Sequence, residues 1–120
     1  MTNRSAPAFA ADVASILIFV AIGRHNHSEG VTPGGVLWTA WPFLAGLALA
    51  WIIFRAWRRP TTVYPTGVAV WLSTVAIGMG LRSGIGEGTA VSFVVVATLV
   101  TGVLLLGWRA AVRLAARRKA

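Results

Sequence analysis

Charged residues divide this chain into four stretches that carry no charged side chain, and this spacing constrains the fold more than any other feature. The stretches cover residues 13–23, 31–54, 63–81 and 88–108. Roughly 18 consecutive apolar residues are enough for a helix to cross the ~30 Å hydrocarbon layer of a bilayer. The last three stretches reach this length, and the first does so only if its helix begins near Pro7 and includes Asp12. The sequence therefore predicts an all-α, polytopic membrane protein with four transmembrane helices.

The composition agrees with membrane insertion and excludes several kinds of chemistry. Hydrophobic residues make up 57% of the 120-residue chain and charged residues only 12%, whereas about a quarter of the residues in a soluble domain are charged. The chain has no cysteine, which excludes disulfides, thiolate metal sites and dithiol redox chemistry. In a membrane protein, the net charge of +8 indicates topology and contact with anionic lipid headgroups rather than nucleic-acid binding.

We expect one transmembrane domain over residues 1–120, ending in a basic cytoplasmic tail. Its helices are predicted at about residues 8–23, 36–57, 65–81 and 89–109, with the tail at residues 110–120. The segment "TPGG", which ends at Gly35, reads as a turn before the second helix, and Pro42 is expected to bend that helix. Thr62 is expected to cap the third helix, with Pro65 in its first turn.

Lys and Arg are distributed unequally between the two ends of the predicted bundle. Of the 11 Lys and Arg residues, only Arg24 and Arg82 fall at one end. Under the positive-inside rule, this bias predicts cytoplasmic N- and C-termini and a location in the cell (plasma or inner) membrane. Those at the other end are Arg4, Arg55, Arg58, Arg59, Arg109, Arg113, Arg117, Arg118 and Lys119. All of these except Arg4 and Arg55 are expected to contact lipid headgroups, at about 1 kcal/mol each.

Two polar turns share the spacing R-x-x-x-x-E-G. They are "RHNHSEG" at residues 24–30 and "RSGIGEG" at residues 82–88. "VAIG" precedes both turns, and "TAWPF" after the first resembles "TAVSF" after the second, although the second copy lacks most of the loop "VTPGGVLW". The pattern fits either a duplicated helical hairpin or chance matches among apolar helices. A duplicated pair of hairpins would bring both turns to one outward vestibule.

A set of motifs along the chain resembles a known family. The motifs are "FVAIGR", "EG", "TAWPFLAG", "RAWRRP", "PTGV", "GTAVSFV" and "LLGWR". Together, over about residues 12–109, they are similar to the family of small prokaryotic membrane proteins catalogued as the domain of unknown function DUF3054. The resemblance implies a four-helix membrane protein, and it implies no activity, cofactor or catalytic residue.

Asp12 is the one carboxylate inside an apolar stretch. An unpaired charge at membrane depth costs a few kcal/mol even on lenient scales, so this side chain is expected to face the bundle and to find a partner. We predict a buried ion pair with Arg55. An anchoring ion pair is the favoured role for Asp12, and a proton- or ion-coupling carboxylate is the alternative.

Each polar turn pairs an arginine with a glutamate. Arg24 with Glu29, and Arg82 with Glu87, are expected to close their turns as local ion pairs that contribute about 0–1 kcal/mol. The alternative is that both pairs line a shared mouth that binds a small zwitterion or an anion.

The first turn also contains His25 and His27 beside Glu29. Their nitrogen and oxygen atoms are metal ligands in principle. Alternate residues share a face only in extended structure, and the chain has no third histidine. A solvated loop is therefore favoured over a metal site, with proton exchange at the outer surface as a smaller role for His27.

The sequence contains no recognisable catalytic constellation. It therefore predicts a non-catalytic membrane component without a cofactor, one that self-associates as a homo-oligomer or joins a larger membrane complex. The alternative is a carrier or channel for a small solute, an ion or protons, formed by an oligomer with the Arg/Glu vestibule facing outward. An enzymatic role has the least support.

Overall fold

Four long α-helices account for most of the chain, which the computed structural model describes at residues 4–26 and 30–119. The helices are α1 (Ser5–Asn26), α2 (Pro33–Ile53), α3 (Val68–Gly84) and α4 (Val91–Lys119). Each is long and apolar enough to cross a membrane, if α3 is counted with the turn before it. The long axis of the molecule, 46 Å, is close to the ~40–45 Å thickness of a bilayer with its headgroups. The predicted all-α fold with four membrane-spanning helices is confirmed.

The helices form a closed ring in which each packs against its neighbours in sequence and α1 packs against α4. The contact between α2 and α3 is the most extensive, because glycines allow the two backbones to approach. A Cβ on Gly46 would lie 3.0 Å from the carbonyl oxygen of Thr74, and a Cβ on Gly78 would overlap the ring of Phe43. Any larger side chain at these two positions would push the helices apart.

Three phenylalanine side chains pack together inside the bundle. The centroid of Phe19 on α1 lies 5.6 Å from that of Phe43 on α2 and 6.3 Å from that of Phe93 on α4. These separations fall within the favourable range of ~4.5–7 Å for aromatic pairs. The cluster joins three helices near the end of the bundle that carries both polar turns.

The start of α2 differs from the prediction. "TPGG" is not a turn, because α2 begins at Pro33 and Thr32 is its N-cap, with Oγ1 accepting a hydrogen bond from the Gly35 backbone N–H at 3.1 Å. Proline suits the first helical position because its missing N–H would have no partner there. Residues 27–32 therefore separate α1 from α2, and residues 85–90 separate α3 from α4. The two connections are equally long, so the prediction of a shorter second loop is wrong.

The end of α2 also differs from the prediction. The helix ends at Ile53 and not at Trp57. Arg55 adopts a left-handed conformation with φ of 51°, which cannot continue a right-handed helix. A short 3-10 turn, Ala56–Arg58, follows. Within α2, the helix continues through the buried Pro42.

The connection into α3 is a turn, Val63–Gly67, in which Tyr64 is extended (φ −126°, ψ 132°) and the Gly67 N–H donates to the Thr62 carbonyl oxygen at 3.0 Å. Thr62 does not cap a helix, because its hydroxyl donates to the carbonyl oxygen of Arg59 at 3.1 Å. At its far end the chain continues as helix, since α4 runs through the basic tail to Lys119. Residues 111–118 of α4 are exposed, which places the last turns of this helix beyond the bundle.

Candidate functional site

Arg24 and Arg82, one from each polar turn, line a single cavity of about 320 Å³ at one end of the bundle. This volume is at the lower end of the ~300–1,000 Å³ that small-molecule sites occupy. We call it the arginine cavity. Its polar wall consists of Arg24, Thr39, Arg82 and Ser92, and the largest members of its apolar wall are Phe19, Val20, Phe93 and Val96.

The two arginines are held by equivalent contacts. The Nε of Arg24 donates to the carbonyl oxygen of Gly30 at 2.8 Å, and the Nε of Arg82 donates to that of Gly88 at 2.6 Å. Each arginine thus bonds to the glycine six residues later. This contact explains why the arginine and the glycine recur at the same spacing, and it occupies only the Nε–H of each guanidinium.

The ion pair predicted between Arg82 and Glu87 is wrong. The Glu87 carboxylate instead accepts a hydrogen bond from the Nε1 of Trp38 on α2, at 3.3 Å. The Glu87 backbone N–H donates to the Arg82 carbonyl oxygen at 3.0 Å, so backbone groups close this turn. Glu29 and His27 lie outside the described residues, and their predicted roles stay predictions.

Arg24 connects α1 to the start of α2. Its Nη1 donates to the Oγ1 of Thr39 at 3.0 Å. Its guanidinium also lies so close to Gly35 that a Cβ there would be 2.6 Å from Nη2. Glycine at this position therefore gives Arg24 the space it needs, which the sequence did not reveal because "GG" was read as part of a turn.

Arg82 has hydrogen-bond donors that find no acceptor among the residues the structure describes. Its guanidinium carbon lies 4.6 Å from the centroid of the Phe93 ring, and its Nε bonds to Gly88. Arginine has five N–H donors in a planar fork. Among the described residues, none accepts a hydrogen bond from either Nη of Arg82. This fork matches a carboxylate or a phosphate, which accept two parallel hydrogen bonds from one guanidinium.

Asp12 lies at the other end of the bundle, where it is fully buried. Its Oδ1 accepts hydrogen bonds from Arg109 Nη1 and Trp108 Nε1, both at 2.8 Å. Its Oδ2 accepts from Arg109 Nη2 at 2.8 Å and from Trp51 Nε1 at 2.9 Å. A carboxylate has about four lone-pair positions, and these four donors occupy them. The predicted partner was wrong, because Arg55 is exposed in the turn after α2.

Arg109 was predicted to contact headgroups, and this is also wrong because the side chain is fully buried. Besides its two bonds to Asp12, it donates from Nε to the Pro60 carbonyl oxygen and from Nη1 to the Leu105 carbonyl oxygen, both at 3.0 Å. The guanidinium also lies 4.5 Å from the centroid of the Trp108 ring. This cluster of Asp12, Trp51, Trp108 and Arg109, here called the Asp12 cluster, joins α1, α2 and α4.

The other described arginines that were predicted to contact headgroups are exposed. Arg58 and Arg59 are exposed in the connection between α2 and α3, and three more arginines are exposed on the last turns of α4. Those on α4 are Arg113, Arg117 and Arg118. Their exposure allows contact with lipid headgroups, which stays a prediction. The side chain of Lys119 is not among those that the structure describes.

Comparison with known proteins gives one match. A family model described as "Protein of unknown function (DUF3054)" matches residues 9–112. The match includes both polar turns and the whole Asp12 cluster, and it confirms the resemblance noted from the motifs. No curated protein and no solved structure matches the chain.

Proposed function

The chain belongs to the DUF3054 family, whose function is unknown, and we propose that it is a non-catalytic membrane protein that binds a small anion in the arginine cavity. One observation carries the proposal: guanidiniums from two separate turns line the same cavity, and the Nη groups of Arg82 have no acceptor among the described residues. Charge-assisted hydrogen bonds to a carboxylate or a phosphate are about twice as strong as neutral ones.

The charges around the arginine cavity support an anionic ligand. None of the described residues that line it is a carboxylate or a histidine, whereas Arg24 and Arg82 are both cations. Two opposite charges 4 Å apart attract by ~1 kcal/mol in water and by ~4 kcal/mol near a protein surface, where the effective dielectric constant is about 20. An anion in the cavity would therefore gain more from these charges than it does from a guanidinium free in water.

The same lining supports binding without catalysis. Its described hydroxyl groups, on Thr39 and Ser92, have no carboxylate or imidazole beside them in the cavity wall that would act as a base. Deeper in the bundle, the buried side chains of Ile16, Phe43 and Leu47 are apolar. Passage of an ion past them would need a change in helix packing. We therefore propose a binding protein, with transport by an oligomer as the extension that flux measurements in liposomes would test.

A proton-coupling role for Asp12 receives no support from its surroundings. Its carboxylate already accepts four hydrogen bonds, two of them from the cationic Arg109. A proton on Asp12 would have to displace one of these donors inside the bundle. The anchoring role is therefore the one we propose.

The proposed location is the plasma or inner membrane, with the arginine cavity facing outward and both termini in the cytoplasm. The unequal distribution of Lys and Arg supports it. A reporter enzyme that is active only outside the cytoplasm, fused after Ala120, is expected to be inactive, and the same reporter inserted after Gly30 is expected to be active. The opposite pattern would reverse the orientation.

Titration with simple anions tests the proposed function. Isothermal calorimetry on purified protein would use acetate, benzoate and inorganic phosphate as probes. We expect at least one to bind saturably and Arg82→Gln to weaken that binding roughly 10- to 100-fold, because a hydrogen bond to a charged group contributes about 1.5–3 kcal/mol. Arg113→Gln removes the same charge from an exposed position on α4 and should change affinity less than about twofold. The absence of binding by all three probes, or equal binding by Arg82→Gln, would refute the function.

A second candidate is self-association or membership in a larger membrane complex. It is favoured by α4, of whose most apolar window only 22% is buried, against 33% to 39% for the other three spans. Membrane helices associate through packing of such exposed faces. Light scattering in detergent would give a protein mass above the 12.7 kDa of one chain if it self-associates. A strict monomer that copurifies with no other protein would remove this candidate.

A further inference from the structure

The arginine cavity has a polar end and an apolar end, arranged along the helix axes. Arg24 lies near the end of α1, and Phe19 and Val20 lie about one turn deeper on the same helix. On α4, the cavity wall extends from Ser92 to Val96, which corresponds to about 6 Å at 1.5 Å per residue. A ligand that fills this space meets guanidiniums at one end and only apolar side chains at the other.

The apolar end reaches the outer surface of the bundle at Val96. Val96 lines the cavity and is nevertheless 51% exposed, so it lies on an edge where the cavity wall meets the outer surface of the bundle. Gly23 on α1, next to Arg24, also lines the cavity, and a Cβ there would have no atom within 4 Å. Val96 belongs to the apolar span of α4, and this edge therefore faces the hydrocarbon layer rather than water.

The Asp12 cluster joins α1 and α4 at the other end of the molecule. There, Asp12 on α1 bonds directly to Trp108 and Arg109 on α4. The two helices are thus joined directly near one surface of the membrane, whereas toward the other they pack through Phe19 and Phe93 and both line the arginine cavity. A chain that enters the cavity at Val96 meets the buried Phe19.

We infer, on the basis of the proposed function, that the ligand of the arginine cavity is a single-chain amphiphile with an anionic head. The carboxylate or phosphate head binds Arg82 beside Arg24, and the hydrocarbon chain lies along Phe19 and Val20 and leaves the bundle at Val96. A small hydrophilic anion would fill only the polar end, and water would have to occupy the apolar end, where it finds no hydrogen-bond partner.

The test uses probes that share a head or a chain. Protein in nanodiscs of neutral phosphatidylcholine is titrated with radiolabelled octanoate, acetate and octan-1-ol, and the amount bound by protein-free discs is subtracted. We expect octanoate to bind at least about tenfold more tightly than acetate, because each methylene removed from water contributes about a threefold to fourfold gain in affinity. Octan-1-ol, which has the chain without the charge, is expected to show no saturable binding.

Matched variants separate the two ends of the cavity. Val96→Phe fills the apolar end, and we expect it to weaken octanoate about tenfold while acetate changes less than twofold. Val95→Phe is the control, since Val95 is the neighbouring residue, is 49% exposed and does not line the cavity. If Val96→Phe does not fold, Gly23→Leu narrows the cavity from α1. Gly80→Leu is its control, because Gly80 also has open space around it and lies outside the cavity.

The outcomes distinguish this inference from the function on which it rests. Equal affinities for acetate and octanoate, both reduced by Arg82→Gln, would overturn the amphiphile and keep the anion site. Loss of octanoate binding in discs that contain phosphatidylglycerol would identify a two-chain phospholipid as the occupant and would also overturn it. Octanoate binding that Arg82→Gln leaves unchanged, or no binding by either acid, would overturn the anion site itself.

Discussion

Arg109 and Arg82 lie at opposite ends of one bundle, and they differ in burial and in hydrogen bonding. Arg109 is fully buried and donates to Asp12 through both Nη groups, to Pro60 and to Leu105. Arg82 is only partly buried and, within the described part of the chain, its side chain donates a hydrogen bond through Nε alone. A guanidinium whose donors are occupied holds helices together, whereas one with unused donors beside a cavity is available for a ligand. The count of satisfied hydrogen bonds, rather than the residue type, separates the two roles.

The largest effect is expected at the Asp12 cluster. Arg109→Leu leaves the carboxylate of Asp12 buried without its counter-charge, and breaking a buried pair in this way costs about 3–5 kcal/mol of unfolding free energy. Unfolding in denaturing detergent, followed by circular dichroism, measures the loss. Arg113→Leu, one turn further along α4 and exposed, is the control and should change stability by less than about 0.5 kcal/mol. Equal stability of the two variants would contradict the structural role of Arg109.

Removing both charges sharpens this result. The double variant with Asp12→Leu and Arg109→Leu leaves no uncompensated charge, so it should be less destabilised than Arg109→Leu alone. The same unfolding measurement applies. A double variant that loses as much stability as the sum of its single substitutions would show that the two side chains do not act as a pair.

A smaller loss of stability is expected between the two ends, at the contact of α2 with α3. Gly78→Ala places a Cβ against the ring of Phe43, and overpacking of this kind costs about 1–3 kcal/mol. Gly80→Ala, where a Cβ meets nothing within 4 Å, should be neutral or slightly stabilising because alanine favours helix. Neither substitution touches a charge, so the pair separates packing from electrostatics. Equal thermal stability of the two variants would refute the close helix contact.

Arg82→Gln should give the reverse of the Arg109 result. It removes one hydrogen bond at an exposed turn and an aromatic contact, so the free energy of unfolding should fall by only about 1 kcal/mol or less. Binding of the probe anions should nevertheless fall strongly, as described above. A loss of stability as large as that of Arg109→Leu would mean that Arg82 is also a structural residue.

The smallest effect is expected at the contact between Trp38 and Glu87. Glu87→Gln removes a negative charge next to Gly88, which lines the arginine cavity. Affinity for the probe anions should therefore rise, by no more than about fivefold, since exposed charges contribute at most ~1 kcal/mol. A decrease in affinity would show that the Glu87 carboxylate holds the turn in its binding conformation.

The four-helix fold follows from features that the sequence shows directly. The side-chain contacts between the helices do not. Gaps between charges gave the four helices, because the length of an apolar stretch determines whether it spans a bilayer. Asp12 was assigned to Arg55 because both lie near the same end. Asp12 pairs with Arg109 instead because α2 ends at Ile53, before Arg55, and because α4 turns its Arg109 side toward α1. No short sequence pattern predicts either feature. "TPGG" was misread because threonine before proline suits a helix start as well as a turn.

The arginine cavity was foreseen only as the alternative of a shared mouth for the two turns. The repeat spacing placed Arg24 and Arg82 at one end, and the Glu87 pairing that was expected with it proved wrong. Arg82 lies over the ring of Phe93, which packs against Phe19 on α1, the helix that also carries Arg24. These contacts join residues far apart in the chain, and no local pattern predicts them.

The most direct test of an anion site is the reactivity of a single thiol in its wall. The chain has no cysteine, so Ser92→Cys introduces one in the wall of the arginine cavity, and Thr89→Cys introduces one at an exposed position that does not line it. Modification rates are measured with an anionic and a cationic methanethiosulfonate reagent. We predict that the anionic-to-cationic rate ratio is about tenfold higher for Ser92→Cys than for Thr89→Cys, equivalent to ~1.4 kcal/mol, and that Arg82→Gln removes most of this difference. Equal ratios at the two positions would contradict the proposal that this end of the bundle attracts anions.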